Sequence, residues 1–258
     1  MTQAERIQSY LREIARSQYR VEHVPPFTAF LHPTDALVHF NYAIPDAGPL
    51  AGDLQTPLRE LSAVFAARGR TPRFEFVEAC APGLAEALAA NGFTEELRAL
   101  LMTATADTAR PLTVPGLAIE VLDRAADPDQ VRPLLDLQRE VFGAGGEPAS
   151  RADARRALDV LGDGAILAGR LHGALVSVAF LQPSRDGLAE VAGVATLETF
   201  RRRGIAGALT SAALSRAFER GVTLALLSAA SEAAGRVYAG AGFESAGYVL
   251  MWAQVEPG

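Results

Sequence analysis

Three arginines run directly into alternating small residues at Arg201-Arg202-Arg203-Gly204-Ile205-Ala206-Gly207, between a stretch that reads as a strand and one that reads as a long helix. Those residue types at that spacing describe an anion cradle. Gly204 and Gly207 remove side chains where backbone must come close to a ligand. The first turn of a helix leaves N–H groups unpaired, and its dipole favours negative charge there. The guanidinium groups add charge-assisted donors. A pyrophosphate suits such a loop, although the glycine spacing taken alone also fits a solvated basic helix start. The Lys-Ser/Thr pair of a P-loop is missing, which disfavours nucleotide hydrolysis.

The elements that must position this loop follow from hydrophobic period and from Pro and Gly punctuation. Ile7, Leu11, Ile14 and Ala15 make one helical stripe, ended by Pro25-Pro26, before a strand at 27–31. Strands at 36–44, 73–78 and 96–104 alternate with helices at 57–67 and 82–90, and Pro57 and Pro82 suit first-turn positions. Residues 105–116, rich in Thr, Ala and Pro, read as a linker. Beyond it come a strand (117–122), two helices (128–142, 151–161), and a hairpin (165–171, 174–182) turning at His172-Gly173. A strand (188–196), the long helix (204–220), a strand (222–228), a helix (231–241) and a last apolar stretch (243–253) complete the chain. The order after the linker is β-α-α-β-β-β-α-β-α-β. Two domains are expected, 1–112 and 113–258, of α/β (α+β) class.

Composition closes off several function classes. With 49% hydrophobic and 21% charged residues in 258, the chain has ample material for a core. One cysteine, Cys80, and four scattered histidines exclude a disulfide scaffold and a zinc site, so no metal is expected. There is no lysine, and 24 arginines face 30 acidic residues, which argues against general nucleic-acid binding. No apolar run approaches the roughly 18 residues of a membrane span. Met1 to Arg16 read as an amphipathic helix rather than a targeting segment, and a cytoplasmic location is expected. The halves also resemble each other. Phe65-Ala-Ala-Arg-Gly69, Asn91-Gly92-Phe93 and Leu101-Met102 run alongside Phe218-Glu-Arg-Gly221, Ala241-Gly242-Phe243 and Leu250-Met251, with 23 residues between the glycines in one copy and 21 in the other.

Arg201, Gly204 and Ala206 match the Gln/Arg-x-x-Gly-x-Gly/Ala signature of the GCN5-related N-acetyltransferases (GNAT), and the sequence from about Leu117 to Ala253 resembles that family. Gly193-Val194-Ala195-Thr196 leads into the motif, and Ser231 through Gly235-Arg236-Val237-Tyr238 to Gly242-Phe243 resembles the family's second block. The resemblance implies two GNAT-like domains, each a mixed, mostly antiparallel central sheet flanked by helices. It implies acetyl-CoA as co-substrate, held at Val194, Ala195 and Thr196 along its pantetheine arm. Its pyrophosphate would sit on Arg201, Arg202, Arg203, Gly204, Ile205, Ala206 and Gly207, with Ser231 and Arg236 contributing from the second block. Gly193 would suit a strand irregularity. Two departures stand out: Glu198-Thr199 replaces a common proline, and Ser231 stands where many members carry an asparagine.

Carried over in the same way, Tyr238 is the candidate acid for the leaving thiolate and Glu190, fourteen positions before Gly204, the candidate base. Each also fits a structural role, a packed helix tyrosine or an exposed strand glutamate. Backbone N–H groups around Val194 and Ala195 would serve the oxyanion. Gly143 to Pro148 corresponds to an acceptor-binding loop. The N-terminal half lacks the motif, reading Pro49-Leu-Ala-Gly-Asp53 there and Leu88 in place of Tyr238; it is expected to be a degenerate GNAT-like repeat, with His39, Asn41 and Tyr42 as candidate polar contacts. The expected activity is acetyl transfer to a primary amine of a small molecule or peptide, by direct attack in a ternary complex. A non-catalytic acyl-CoA-binding sensor and an interaction module stand as alternatives, and the resemblance allows a homodimer.

Overall fold

A computed structural model describes residues 1–33, 40–47, 50, 52–143 and 147–254. Residues cluster into two units, one of residues 1–101 together with the stretch from Ala246 onward, the other Met102–Ser245. The first begins with α1 (Gln3–Gln18), started by a capping box in which Thr2 and Glu5 each bond the other's backbone N–H. Its apolar stripe buries Ile7, Ile14 and Ala15. β1 (Arg20–Val24) and β2 (Phe27–Leu31) form an antiparallel hairpin, and β3 (Asn41–Pro45) pairs antiparallel with β2. Then follow α2 (Gln55–Ala66), β4 (Arg73–Val77), α3 (Leu84–Ala90) and β5 (Phe93–Ala104). β4 lies parallel to β3, in register only at Ala43 and Phe74. The core centres on Phe74, edge-on to Phe27 at 5.0 Å and to Phe93 at 5.6 Å, with Leu58, Leu61 and Phe65 of α2 packed around it.

The second unit contains β6 (Leu117–Leu122), α4 (Pro128–Val141), α5 (Arg151–Val160), β7 (Ala165–Leu171), β8 (Ala174–Leu181), β9 (Leu188–Thr196), α6 (Ile205–Glu219), β10 (Leu224–Ala229) and α7 (Glu232–Gly240). Its strands lie in the order β10-β9-β8-β7-β6. All neighbours are antiparallel except β9 and β10. Alternation along β7 separates two layers. Ile166 and Ala168 join Val131, Leu134 and Leu158 of α4 and α5, whereas Gly169, out of phase with them, lies against Leu209 of α6.

The last strand, β11 (Glu244–Gln254), pairs antiparallel with β4, from Val249 opposite Val77 to Ala253 opposite Arg73. In the first unit it lies between β4 and β5, giving the order β1-β2-β3-β4-β11-β5. The sequence places a division between residues 112 and 113, whereas in the structure the last strand from Ala246 belongs with the first unit. A strand's apolar pattern fixes its faces but not its partner. The α/β class and the mixed, mostly antiparallel sheet with flanking helices are as expected, and so is the order of elements after the linker. Two details differ. Residues 20–24 form an edge strand that charged residues concealed, and α1 ends at Gln18, ahead of Pro25-Pro26. Of the strand expected at 36–44, residues 34–39 lie outside the described residues, and with them His39.

Candidate functional site

β9 and β10 are in register only from Leu188 opposite Leu224 to Glu190 opposite Leu226, although β9 continues to Thr196 and β10 to Ala229. Past Glu190 the two parallel strands diverge, leaving that edge of β9 without a registered partner. On its other edge β9 carries a bulge. Between the pairs Val178–Ala195 and Phe180–Ala192 it places two residues, Gly193 and Val194, opposite one of β8. Gly193 takes φ +58°, and a Cβ there would lie 2.2 Å from Gln138 Nε2. The missing side chain thus lets Gln138 of α4 reach the bulge, where its amide lies 3.5 Å from the Gly193 carbonyl oxygen. Below the bulge, buried Ser177 donates to the Ala195 carbonyl at 2.7 Å and bonds the Thr196 hydroxyl at 2.8 Å. The Thr196 side chain is thereby committed to the sheet.

From Thr196 the chain turns through a short 3-10 segment, Glu198–Phe200, into the arginine run. Arg201 Nε donates back to the Thr196 carbonyl at 3.2 Å and closes the loop. Arg203 bonds the Thr199 carbonyl at 3.3 Å and lies over the Phe200 ring. Arg202 stands at φ +62° and Gly204 at φ +78°, so the backbone turns left-handed twice within three residues. A non-glycine residue held there costs on the order of 1 kcal/mol and persists where the surroundings or a ligand require it. Arg202 makes no hydrogen bond or ion pair among the described residues. Arg201 to Gly204 are exposed, Ile205 and Gly207 buried, and Ala206 intermediate.

The start of α6 differs from most other helix starts in the chain. Side-chain caps serve α1 (Thr2), α4 (Asp127), α5 (Ser150) and α7 (Ser231), whereas α6 begins at Gly204 with no side-chain acceptor. Its first N–H groups therefore have no side-chain acceptor. Such an arrangement suits an anion. The first unit's topology is similar, with a parallel pair (β3 and β4) flanking α2, but Asp53 Oδ1 accepts from Gln55 N–H at 2.9 Å at the start of that helix. Leu88 of α3 is fully buried in that unit's core. Pro49 and Ala51 lie outside the described residues.

α7 meets α6 at the cradle, where a Cβ on Gly207 would lie 3.7 Å from Val237 Cγ1. The next residue, Tyr238, is largely buried, edge-on to Phe243 at 6.4 Å. Burial holds its phenol above the ordinary value, so it stays protonated at neutral pH. Ser231 Oγ is engaged as the α7 cap, accepting from Ala234 N–H at 3.2 Å, and exposed Arg236 lies 3.8 Å from Glu232. Glu190 sits half-buried where the strand pair separates, its carbonyl accepting from Gln182 N–H. Of the expected acceptor loop, residues 144–146 lie outside the described residues. No group of three or more His, Cys, Asp or Glu able to hold a metal is found among the described residues, and no described helix is long and apolar enough to cross a membrane.

A family model described as acetyltransferase (GNAT) domain matches residues 124–246, a span that contains the diverging strands, the cradle and Tyr238. Residues 124–246 are a GNAT domain. The GNAT fold recurs over the full length in solved structures. A GCN5-related N-acetyltransferase from Kribbella flavida is 26% identical with a TM-score of 0.83, covering 100% of this chain and 97% of its own. One from Sphaerobacter thermophilus is 18% identical (TM-score 0.65; 90% and 78% covered). A tandem GNAT protein from the clavulanic acid biosynthesis pathway is 15% identical (TM-score 0.61; 90% and 79%). No curated protein matches. Sequence reasoning missed Gln138, and it passed over the apolar members of the linker, whose signal was Leu112 and Val114 set among prolines and threonines. In the GNAT unit that linker is pinned rather than free. Arg110 N–H bonds the Ala241 carbonyl at 2.9 Å, and Ser211 of α6 accepts from Leu112 N–H at 3.0 Å while donating to the Arg110 carbonyl at 2.9 Å.

Proposed function

We propose that the chain transfers an acetyl group from acetyl-CoA to a primary amine, by direct attack within a ternary complex on the GNAT unit. The family supports an acyl-CoA-dependent N-acetyltransferase in general; the acyl group, acceptor class and residue roles are our reading. One observation carries it: the helix start at Gly204 is open, left-handed and uncapped, at the end of a strand that has parted from its parallel neighbour. The outward N–H groups from Arg202 to Gly207 bind the pyrophosphate, with Arg202 and Arg236 adding charge. Val194, Ala195 and Thr196 present backbone groups to the pantetheine amides along the freed edge of β9. Acetyl-CoA supplies the thioester that the amine attacks.

At the reacting centre the chain contributes donors and proton carriers. The bulge at Gly193 and Val194 turns backbone N–H toward the carbonyl oxygen as charge develops on it. Glu190, where the sheet opens, takes the proton from the attacking amine. Tyr238 Oη gives its proton to the departing sulfur; a thiol is already a good leaving group, so this step contributes about 10–100-fold. The N-terminal unit is a degenerate copy of the fold that does not hold coenzyme; beside the start of its helix Asp53 accepts from Gln55 N–H. The net charge of −6 favours a cationic amine as acceptor. Calorimetric titration with acetyl-CoA, followed by thiol release across a panel of amines, tests this reading. Micromolar binding and release with at least one amine are expected. No binding at millimolar acetyl-CoA would overturn it, and binding with no release from any amine would favour a sensor.

A further inference from the structure

Where a coenzyme's phosphates would rest, the linker lays an apolar shelf. Leu112 is 36% exposed and Val237 40% exposed, two of the few large apolar side chains left open in this unit. They come from different elements, yet both close on Gly207: a Cβ there would lie 3.2 Å from Leu112 Cδ1 and 3.7 Å from Val237 Cγ1. Val114 continues the surface, its Cγ2 lying 3.4 Å from a Cβ position on Gly204. The strand of linker is held by buried Ser211, which both donates to the Arg110 carbonyl and accepts from Leu112 N–H. At its other end the Thr108 carbonyl lies against Gly242, 2.1 Å from where a Cβ would be, a close backbone approach that a side chain would block.

An exposed apolar surface fixed in place beside an anion cradle calls for a ligand with a flat apolar part next to its phosphates. We infer that Leu112 and Val237 form the subsite for the adenine of the acyl-CoA, so that the segment joining the two halves is part of the coenzyme site. The inference rests on the acyl-CoA reading above. One arm of such a molecule must turn from the cradle toward the diverging strands and Tyr238. The other leaves on the solvent side, where Leu112, Val114 and Val237 are the apolar surface and Arg202 and Arg236 the exposed charges. An adenine laid on that shelf buries two exposed aliphatic side chains, while its phosphates stay with the arginines.

The test is calorimetry on the full chain with three probes: acetyl-CoA, the adenosine bisphosphate half of the coenzyme, and phosphopantetheine, in the parent, Leu112→Asn and Leu112→Met. Leu112 is exposed, so the variants keep the fold, which unchanged thermal unfolding without ligand verifies. Leu112→Asn, which removes the apolar contact without adding charge beside the phosphates, should weaken acetyl-CoA and the adenosine bisphosphate about tenfold while phosphopantetheine stays within twofold, and Leu112→Met should restore parent affinity. Equal loss for both halves would mean that the linker only supports the cradle, and no loss for either would mean an idle surface; each overturns the inference. A parent that ignores acetyl-CoA but binds the adenosine bisphosphate in a Leu112-dependent way would refute the transferase reading and leave the subsite standing. A parent that binds none of the three would overturn both.

Discussion

Gly204 gives the sharpest test of the cradle, because two substitutions there share their cost to folding and differ in charge. At φ +78° any L-residue is strained, by about 1 kcal/mol, and a Cβ meets only Val114 Cγ2 at 3.4 Å, an ordinary contact. Gly204→Ala should therefore lower the unfolding midpoint by roughly 2–4 °C and leave anion binding near parental. Gly204→Glu carries the same strain and adds a carboxylate where the phosphates would rest. At about 5 Å and an effective dielectric near 40, between the surface and bulk values, repulsion from two phosphate charges comes to about 3 kcal/mol, or roughly a hundredfold in affinity. The assay is thermal unfolding with acetyl-CoA at about a hundred times the parental dissociation constant. That concentration stabilises the parent by about 2.7 kcal/mol, or roughly 5–10 °C. For Gly204→Glu the ligand then stands near its own dissociation constant and adds only about 0.4 kcal/mol, roughly 1 °C. Equal ligand shifts in the alanine and glutamate variants would refute the placement of the phosphates.

The other expectations concern the reacting end and the frame. Tyr238→Phe should leave the dissociation constant for acetyl-CoA unchanged and slow transfer about 10–100-fold in single-turnover thiol release. Because burial holds the Tyr238 phenol above its ordinary value, no loss of the parental rate below pH ~10 should trace to its ionisation, which a pH-rate profile of the two proteins checks. Gly193→Ala sets a Cβ 2.2 Å from Gln138 Nε2 at a left-handed position; urea unfolding should show a loss of about 1–2 kcal/mol, part of it recovered by adding Gln138→Ala. Burial pushes the Asp163 carboxyl up, but hydrogen bonds from the Ser184 hydroxyl and N–H outweigh it and hold the group below the usual carboxylate range. That contribution is present above the unfolded value near pH 4 and disappears as pH falls through the lower folded value. Ser184→Ala should thus destabilise at pH 7, by less than about 1 kcal/mol, and converge with the parent near pH 2 in acid unfolding.

Much of this was legible because local rules carried it. The capping boxes at Thr2, Asp127 and Ser150 mark helix starts, and the hairpin turns at His172-Gly173 between two apolar runs as read. The cradle was legible because its function lies in backbone freedom, and glycine at 204 announces that freedom directly. What failed was long-range. Strand 20–24 alternates charge with apolar residues as an edge strand should, but nothing local distinguishes it from the end of a helix. The final strand's partner, β4, lies some 170 positions earlier in the sequence, and no periodicity specifies a partner. Gln138 was invisible for the same reason, since its meaning comes from Gly193, fifty-five residues away, making room for it.

The two units show why an anion cradle reads from the sequence in one half and not in the other, although a parallel strand pair flanks a helix in both. The electrostatic difference lies in two or three residues. At the start of α2 the Asp53 carboxylate accepts from Gln55 N–H, so the positive end of the helix is answered from within the chain. At the start of α6 a left-handed glycine replaces the acceptor, and Arg202 makes no hydrogen bond or ion pair among the described residues. α3 also starts uncapped at a left-handed glycine, Gly83, so what sets the start of α6 apart is the arginine run that leads into it. A similar strand-helix frame therefore says nothing about similar function. An acidic residue beside the start of α2 meets the helix charge from within the chain, and at the start of α6 no side chain accepts from the helix N–H groups.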